Sequence, residues 1–257
     1  MNKIVLLLCS ILLSNQAIAS TISFIAKEKG KILKQEGDCD TAYAPQSTFK
    51  IALSLIGFDS GILKDDSAPS WERPKDEDSF INVCKADHDP HGWMRDSCLW
   101  YSRILTTKLG MDKFQKYVTD FAYGNMDLSG GLTSAWISSS LKISLNGQTD
   151  FLQKMIDRQF PLSQESYDKT EKIMFIQEMA GGWKLYGKTG NGQQIDNQGQ
   201  RTDRQHGWFV GYLEKGDRRI VFAGHILDTE KQSTFASFRI RNETWIKLWY
   251  LINEFEQ

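Results

Sequence analysis

Along residues 20–257 the hydrophobic positions follow two rhythms, and where each holds sets the expected architecture. TISFIAKEKGKILKQE (residues 21–36) alternates apolar and polar side chains on either side of a Lys-Gly pair, which predicts two short strands joined by a turn. Spacings of three and four then take over. They predict helices over STFKIALSLIGF (47–58), RDSCLWYSRILTTKLG (95–110), MDKFQKYVTDFAYG (111–124), SAWISSSLKIS (134–144) and TDFLQKMIDRQF (149–160). Strands return as WKLYGKTG (183–190), GWFVGYLEK (207–215) and RRIVFAGHIL (218–227), the last two joined by a Lys-Gly-Asp turn. RNETWIKLWYLINEF (241–255) reads as a closing helix. Strands at both ends with helices between them predict an α/β fold of the α+β type. Its sheet is largely antiparallel, built from both chain ends and packed with helices, and a helical lobe is inserted in the middle. The cleft between sheet and lobe is the natural place for a site.

The first nineteen residues stand outside this pattern. Lys3, the apolar run from Ile4 to Leu13 and Ala17-Ile18-Ala19 have the order of a secretory signal peptide, too short to remain as a membrane span. Residues 20–257 contain no repeat, low-complexity tract or linker, so a single catalytic domain is expected there. Lysine plus arginine number 31 against 32 aspartate plus glutamate, a balance that gives no field for nucleic acid or an anionic membrane. No stable membrane association is expected of the mature chain, and nothing in the pattern fixes an oligomeric state. With the leader removed, Cys39, Cys84 and Cys98 remain, enough for one disulfide and one thiol, with the pairing open. Cys98, in the helical and apolar context CLWYSRIL, is expected to be the buried free thiol. A hydrophobic share of 40% with 12% aromatic is adequate for a core that does not depend on disulfides.

The helix at 47–58 carries a misfit. Ser47 and Lys50 are three residues apart, so they stack on one face. That face should be apolar, because Phe49, Ile51, Ala52, Leu53, Leu55 and Ile56 surround it. A hydroxyl and an amine held there are a candidate nucleophile and base. The S-x-x-K spacing alone is common, recurring at Ser139–Lys142 and Ser166–Lys169. What distinguishes Ser47 is its company: Ser97-Cys98-Leu99, opening a helix after Asp96, and Lys188-Thr189-Gly190 on a strand that runs into a glycine turn.

With STFK at 47–50, Ser97-Cys98-Leu99, YGN at 123–125, GLTSAW ending at Trp136, KTG at 188–190 and GWFVG at 207–211, in this order, the chain resembles the class D serine β-lactamases. These are the oxacillinases, within the penicillin-recognising serine acyltransferases. The resemblance spans essentially the whole of residues 20–257 and implies a β-lactamase/transpeptidase-like domain, a β-lactam substrate and a periplasmic location. It implies no metal and no cofactor beyond carbon dioxide, which would carbamylate Lys50 to N6-carboxylysine. That chemistry has a physical basis. A free lysine titrates near 10.4, and burial can lower this by ~3–5 units, exposing a neutral amine that adds carbon dioxide.

By the same resemblance Ser47 is the nucleophile and Trp136 an indole donor to the carbamate. Ser97 is a proton shuttle at the leaving nitrogen and Lys188 a cation beside it. Thr189 and Gly190 meet the substrate, and the backbone N–H groups of Ser47 and Asn191 form the oxyanion hole. YGN is expected to be structural. The chain departs from the family twice. Leu99 stands where members usually carry valine, making a bulkier lid over the lysine. Many members bind the substrate carboxylate with an arginine after the last strand, and here Ser237, Arg239 and Arg241 compete for that role.

Other chemistries fit less well. Residues 182–189 satisfy the nucleotide-binding spacing G-x-x-x-x-G-K-T, but WKLY fills the loop as strand and no helix can start at Lys188. Cys84, His88 and His91 cluster without a recognised zinc spacing. No G-x-S-x-G elbow is present for a lipase-type esterase. The serious alternative is a penicillin-binding sensor or transpeptidase-like protein that acylates the same serine and then stalls.

Overall fold

In a computed structural model, residues 19–77 and 81–254 are described; the leader reading, but for Ala19, falls on residues that lie outside them. The strands are β1 (Ser20–Glu28), β2 (Lys31–Glu36), β3 (Phe175–Glu178), β4 (Lys184–Ile195), β5 (Arg201–Lys215) and β6 (Arg218–Asp228). They form a six-stranded sheet in the order β2-β1-β6-β5-β4-β3. Every neighbouring pair is antiparallel. The expected sheet from both chain ends is therefore present, closed by the pairing of β1 with β6 from Ser20↔Asp228 to Glu28↔Ile220.

Both faces of the sheet are covered, which explains why its inner strands read as continuous apolar runs. Alternate residues serve different layers. Ile25, Trp208, Val210, Tyr212, Val221 and Ala223 face the helical lobe, in one core with Leu53, Leu105, Phe114, Phe151 and Ile173. Phe24, Ala26, Phe209, Leu213, Ile220 and Phe222 face the other way, in a second core with Ile240, Leu248 and Ile252. Those last three lie on α7 (Ala236–Glu254), which packs across β5, β6 and β4.

The lobe consists of α1 (Lys50–Asp59), α2 (Pro90–Asp96), α3 (Leu99–Leu109), α4 (Met111–Asp120), α5 (Leu145–Ile156) and α6 (Gln164–Met174). Several expectations need correction. The helix read from residue 95 is two helices. Asp89 caps α2 through the Gly92 N–H with Pro90 following, and α2 ends at Ser97, whose φ of 68° cannot continue a helix. Cys98 is extended, and α3 begins at Leu99. Residues 134–144 form turns rather than a helix. Ser138 there is left-handed (φ 48°), and Ser134 and Ser140 bond to nearby backbone, the competition that disfavours serine-rich helices. The helix α6 and the edge strand β3 are additional to the expected elements.

The cysteines also differ from expectation. Cys98 is not free but is bonded to Cys84, and Cys39 is the buried free thiol. The extended backbone at Cys98, between two helices rather than within one, lets its side chain reach Cys84.

Candidate active site

The nucleophile candidate sits on a tight turn. Pro45 leads into a 3₁₀ turn over Gln46–Phe49, which passes directly into α1 at Lys50. Residues 44–46 and 48–50 are buried, and Ser47 alone among them is half-exposed. Lys50 is fully buried, its Nζ 3.3 Å from Ser47 Oγ in a hydrogen bond. The Trp93 ring lies across the amine, with its centroid 5.9 Å from Nζ. No carboxylate pairs with Lys50 among the described residues. Burial first, and the positive charge of Lys188 second, hold its pKa well below the usual lysine value. A neutral amine beside a serine hydroxyl is the state in which lysine can accept a proton or add an electrophile.

The second wall is β4. Lys188 is 4% exposed and bonds to Thr189 O at 3.1 Å and Thr189 Oγ1 at 3.4 Å. Burial lowers it to about 7, against the opposing pull of the Asp96 carboxylate. The Trp93 ring of α2 over Lys50, and β4 packed against the 3₁₀ turn that leads into α1, show that α1, α2 and β4 converge. Gly190 permits the approach: a Cβ there would stand 2.8 Å from Pro45 O and 3.2 Å from both Gln46 and Thr48 side chains. Asn191 turns its side chain away from the cleft, accepting from Ser237 N at 3.0 Å and donating to Gln205 Oε1 at 3.0 Å. Its amide thus ties β4 to the first turn of α7.

The third wall is the α2–α3 corner. Ser97 and Leu99 are both half-buried, on either side of the disulfide-bonded Cys98. Trp136 is 1% exposed and packs against Phe49 and Phe114 at ring-centroid distances of 5.6 and 6.1 Å. The indoles of Trp93, Trp100 and Trp208 donate to Ser102 Oγ, Cys84 O and Ala44 O. That of Trp136 makes no hydrogen bond among the described residues.

Other candidates fall elsewhere. Arg239 is held by the buried Asp228 carboxylate, Nη1 to Oδ1 at 2.8 Å and Nη2 to Oδ2 at 2.7 Å, with a further bond to Ser20 Oγ at 3.1 Å. Arg241 is exposed, its guanidinium over the Phe238 ring at 5.6 Å. Arg239 is thus committed to Asp228, and Arg241 to the exposed face of α7. Ser237, buried beside Asn191, is the one of the three that adjoins β4. Asn125 of the YGN segment caps local backbone, donating to Ser140 O and accepting from Lys142 N. His91 is exposed and Cys84 is in the disulfide, so these two do not form a ligand set with His88. Residues 184–195 are strand throughout, which excludes the phosphate-loop reading. No role is read from the sequence for Gln46, Ser138 or His206; the Gln46 amide, next to Ser47 in the chain, bonds to Ser138 Oγ and meets His206 Nε2. The only signal was an uncharged polar residue beside the nucleophile.

Residues 15–246 match the penicillin binding protein transpeptidase domain, the class of protein that this sheet and inserted lobe define. Beta-lactamase OXA-9 of Klebsiella pneumoniae is 37% identical over 227 residues, covering 85% of this chain and 83% of its own. The crystal structure of OXA-427, a class D β-lactamase, has a TM-score of 0.86 at 36% identity, covering 91% of this chain and 99% of that one. The C-terminal domain of the Bacillus licheniformis BlaR penicillin receptor follows at TM-score 0.75 and 27% identity, covering 86% of each. The chain belongs to the class D β-lactamases, hydrolases acting on the amide of the β-lactam ring.

Arg239 gives a test of the architecture. Arg239→Ala is expected to strip the buried Asp228 of its charged partner and lower stability by about 2–4 kcal/mol. KM for a penicillin should stay unchanged. Thermal melts and steady-state kinetics on the same preparation check both; a raised KM at unaltered Tm would return Arg239 to the substrate site.

Proposed function

We propose that this protein is an exported serine β-lactamase that works through an acyl-enzyme on Ser47, with Lys50 as its base. The observation that carries the reading is the buried Lys50 amine, without an acidic partner among the described residues, 3.3 Å from the half-exposed Ser47 hydroxyl. Two features suit a carbamate: a desolvated neutral amine to accept carbon dioxide, and, packed on the neighbouring Phe49, the Trp136 indole N–H, which has no acceptor among the described residues. A carbamate there would supply an oxygen base for the proton of Ser47 and later for that of the hydrolytic water.

Ser47 Oγ attacks the lactam carbonyl carbon as its proton leaves, and the resulting oxyanion is met by the N–H groups of Ser47 and Asn191. The ring C–N bond then breaks. Ser97 passes a proton to the departing nitrogen, with Lys188 supplying positive charge beside it. Thr189, Gly190 and Ser237 line the side on which the substrate carboxylate is held. Water attacks the ester, giving the ring-opened acid and free Ser47. Export to the periplasm is supported by the leader pattern and by the Cys84–Cys98 disulfide, which fits an oxidising compartment. No helix among the described residues is long and apolar enough to cross a membrane.

Similarity to a penicillin receptor keeps one second reading in view, a protein that acylates and stalls. Protein quenched during reaction with a penicillin should carry one adduct by mass spectrometry, on the peptide containing Ser47, while substrate is turned over many times. A single stoichiometric burst would favour the sensor, and an adduct on Ser139 or Ser166 would remove Ser47 from its role.

A further inference from the structure

The residue before the nucleophile has a backbone conformation that usually belongs to glycine. Gln46 lies at φ 53° and is 3% exposed. A side chain with a Cβ is disfavoured in this left-handed region and persists there only when its surroundings hold it. The Gln46 N–H donates to Trp136 O at 3.0 Å. Its Nε2 donates to Ser138 Oγ at 2.7 Å and meets His206 Nε2 at 3.1 Å. Ser138, left-handed itself, passes its hydroxyl on to Gln193 O at 3.0 Å on β4. Gly192 leaves the room: a Cβ there would come 2.2 Å from Gln46 Nε2.

A second layer fixes the acceptor. His206 Nδ1 lies 3.2 Å from His225 Nε2, and His225 stacks on Tyr43 with ring centroids 4.3 Å apart. Burial lowers His206 to about 4 and also lowers His225, so both are neutral near pH 7. An amide nitrogen only donates, so His206 Nε2 accepts from Gln46 and its Nδ1–H donates to His225. One arrangement of protons satisfies the row.

We propose that Gln46, held by His206 and Ser138, is a positioning residue that aims Ser47 for acylation. The peptide plane between residues 46 and 47 carries the Ser47 N–H, so the conformation of Gln46 sets the direction of that donor as well as the approach of the hydroxyl. The same amide fastens the nucleophile turn to the turn at Trp136 through Ser138 and to strand β5 through His206, and Ser138 in turn bonds to β4, the strand of Lys188. The inference rests on the reading of Ser47 as nucleophile.

Two substitutions separate the effects of amide and backbone. Gln46→Ala removes the hydrogen bonds and keeps the Cβ; Gln46→Gly removes them too but accepts positive φ freely. Stopped-flow acylation by a chromogenic cephalosporin, taken to saturation, resolves the initial binding constant from the acylation step. Gln46→Ala is expected to acylate ~10–100-fold more slowly, as displacements of about an ångström do, with binding unchanged. Gln46→Gly should recover part of that loss. Should the alanine variant not fold, the glycine variant and Ser138→Ala carry the test, each with slower acylation at unchanged binding. Wild-type acylation rates in the variants, or an effect confined to binding, would overturn the positioning role. Adduct mapping on the wild type runs in parallel: absence of a Ser47 adduct defeats the functional reading itself, whereas a Ser47 adduct formed equally fast in the variants defeats only this inference.

Discussion

Lys50→Ala should trap the protein as an acyl-enzyme. The substitution leaves Ser47 on its turn but removes the group proposed to draw the proton from the hydrolytic water. Loss of a positioned base typically costs 10²–10⁴-fold, so deacylation should slow by about that factor while some acylation persists. The pH response follows from the direction of the shift. Burial and Lys188 favour the neutral amine, and only the neutral amine adds carbon dioxide. Acid therefore drives Lys50 toward the ammonium form and loss of the carbamate, and activity should fall as pH falls. Added bicarbonate should restore it when the protein is returned to neutral pH after carbon dioxide has been stripped. Intact-mass measurement of the quenched variant, with turnover assayed at several bicarbonate concentrations, decides the matter. Normal turnover by Lys50→Ala, or indifference of the wild type to bicarbonate, would end the carbamate mechanism here.

Opening the Cys84–Cys98 disulfide is expected to lower stability substantially. The two cysteines are 14 residues apart. A closed loop of about 15 residues contributes ~3 kcal/mol by restricting the unfolded chain. In a protein of this size that corresponds to a Tm lower by roughly 6–12 °C. The loop encloses α2 and Trp93, and Ser97 and Leu99 flank Cys98, so looser tethering should also slow turnover. Paired Cys84→Ser and Cys98→Ser substitution, or reduction followed by alkylation, can be followed by calorimetry and kinetics. Melting within a degree of the oxidised form would show that the tether adds nothing to the packing around it.

How far the sequence could be read differs between sheet and site, for physical reasons. Strands buried on both faces announce themselves as long apolar runs, so β5 and β6 were legible, and with them the closure of the sheet by β1. Helices of the lobe were legible where apolar spacing was regular. They failed where a local conformation cut the pattern: Ser97 at positive φ divides what reads as one helix, and the serines at 138–140 turn the chain although the spacing of Trp136, Ile137 and Leu141 is helical. Asp89-Pro90, a cap followed by a first-turn proline, was a usable signal for the start of α2. Ser47, Lys50 and Lys188 were visible because a hydroxyl and two amines break apolar surroundings. The arginines of α7 misled because spacing does not reveal a partner such as Asp228. Gln46 and His206 are 160 residues apart, and their meeting depends on the packing of β4 and β5 against the nucleophile turn.

The pairing of β1 with β6 also governs when the molecule can be completed. Ser20 and Asp228 are 208 positions apart, so the first strand has no partner beyond β2 until almost the entire chain exists. A two-stranded ribbon is marginal by itself in water. Phe24, Ile25 and Ala26, each wholly enclosed in the finished sheet, must stay uncovered in the interval. Contacts of such long range are slow to form and leave strand edges open to other chains. The first strand of the sheet to be made is thus among the last to be seated, and the yield of native protein should depend on how well that strand is kept from others of its kind while it waits.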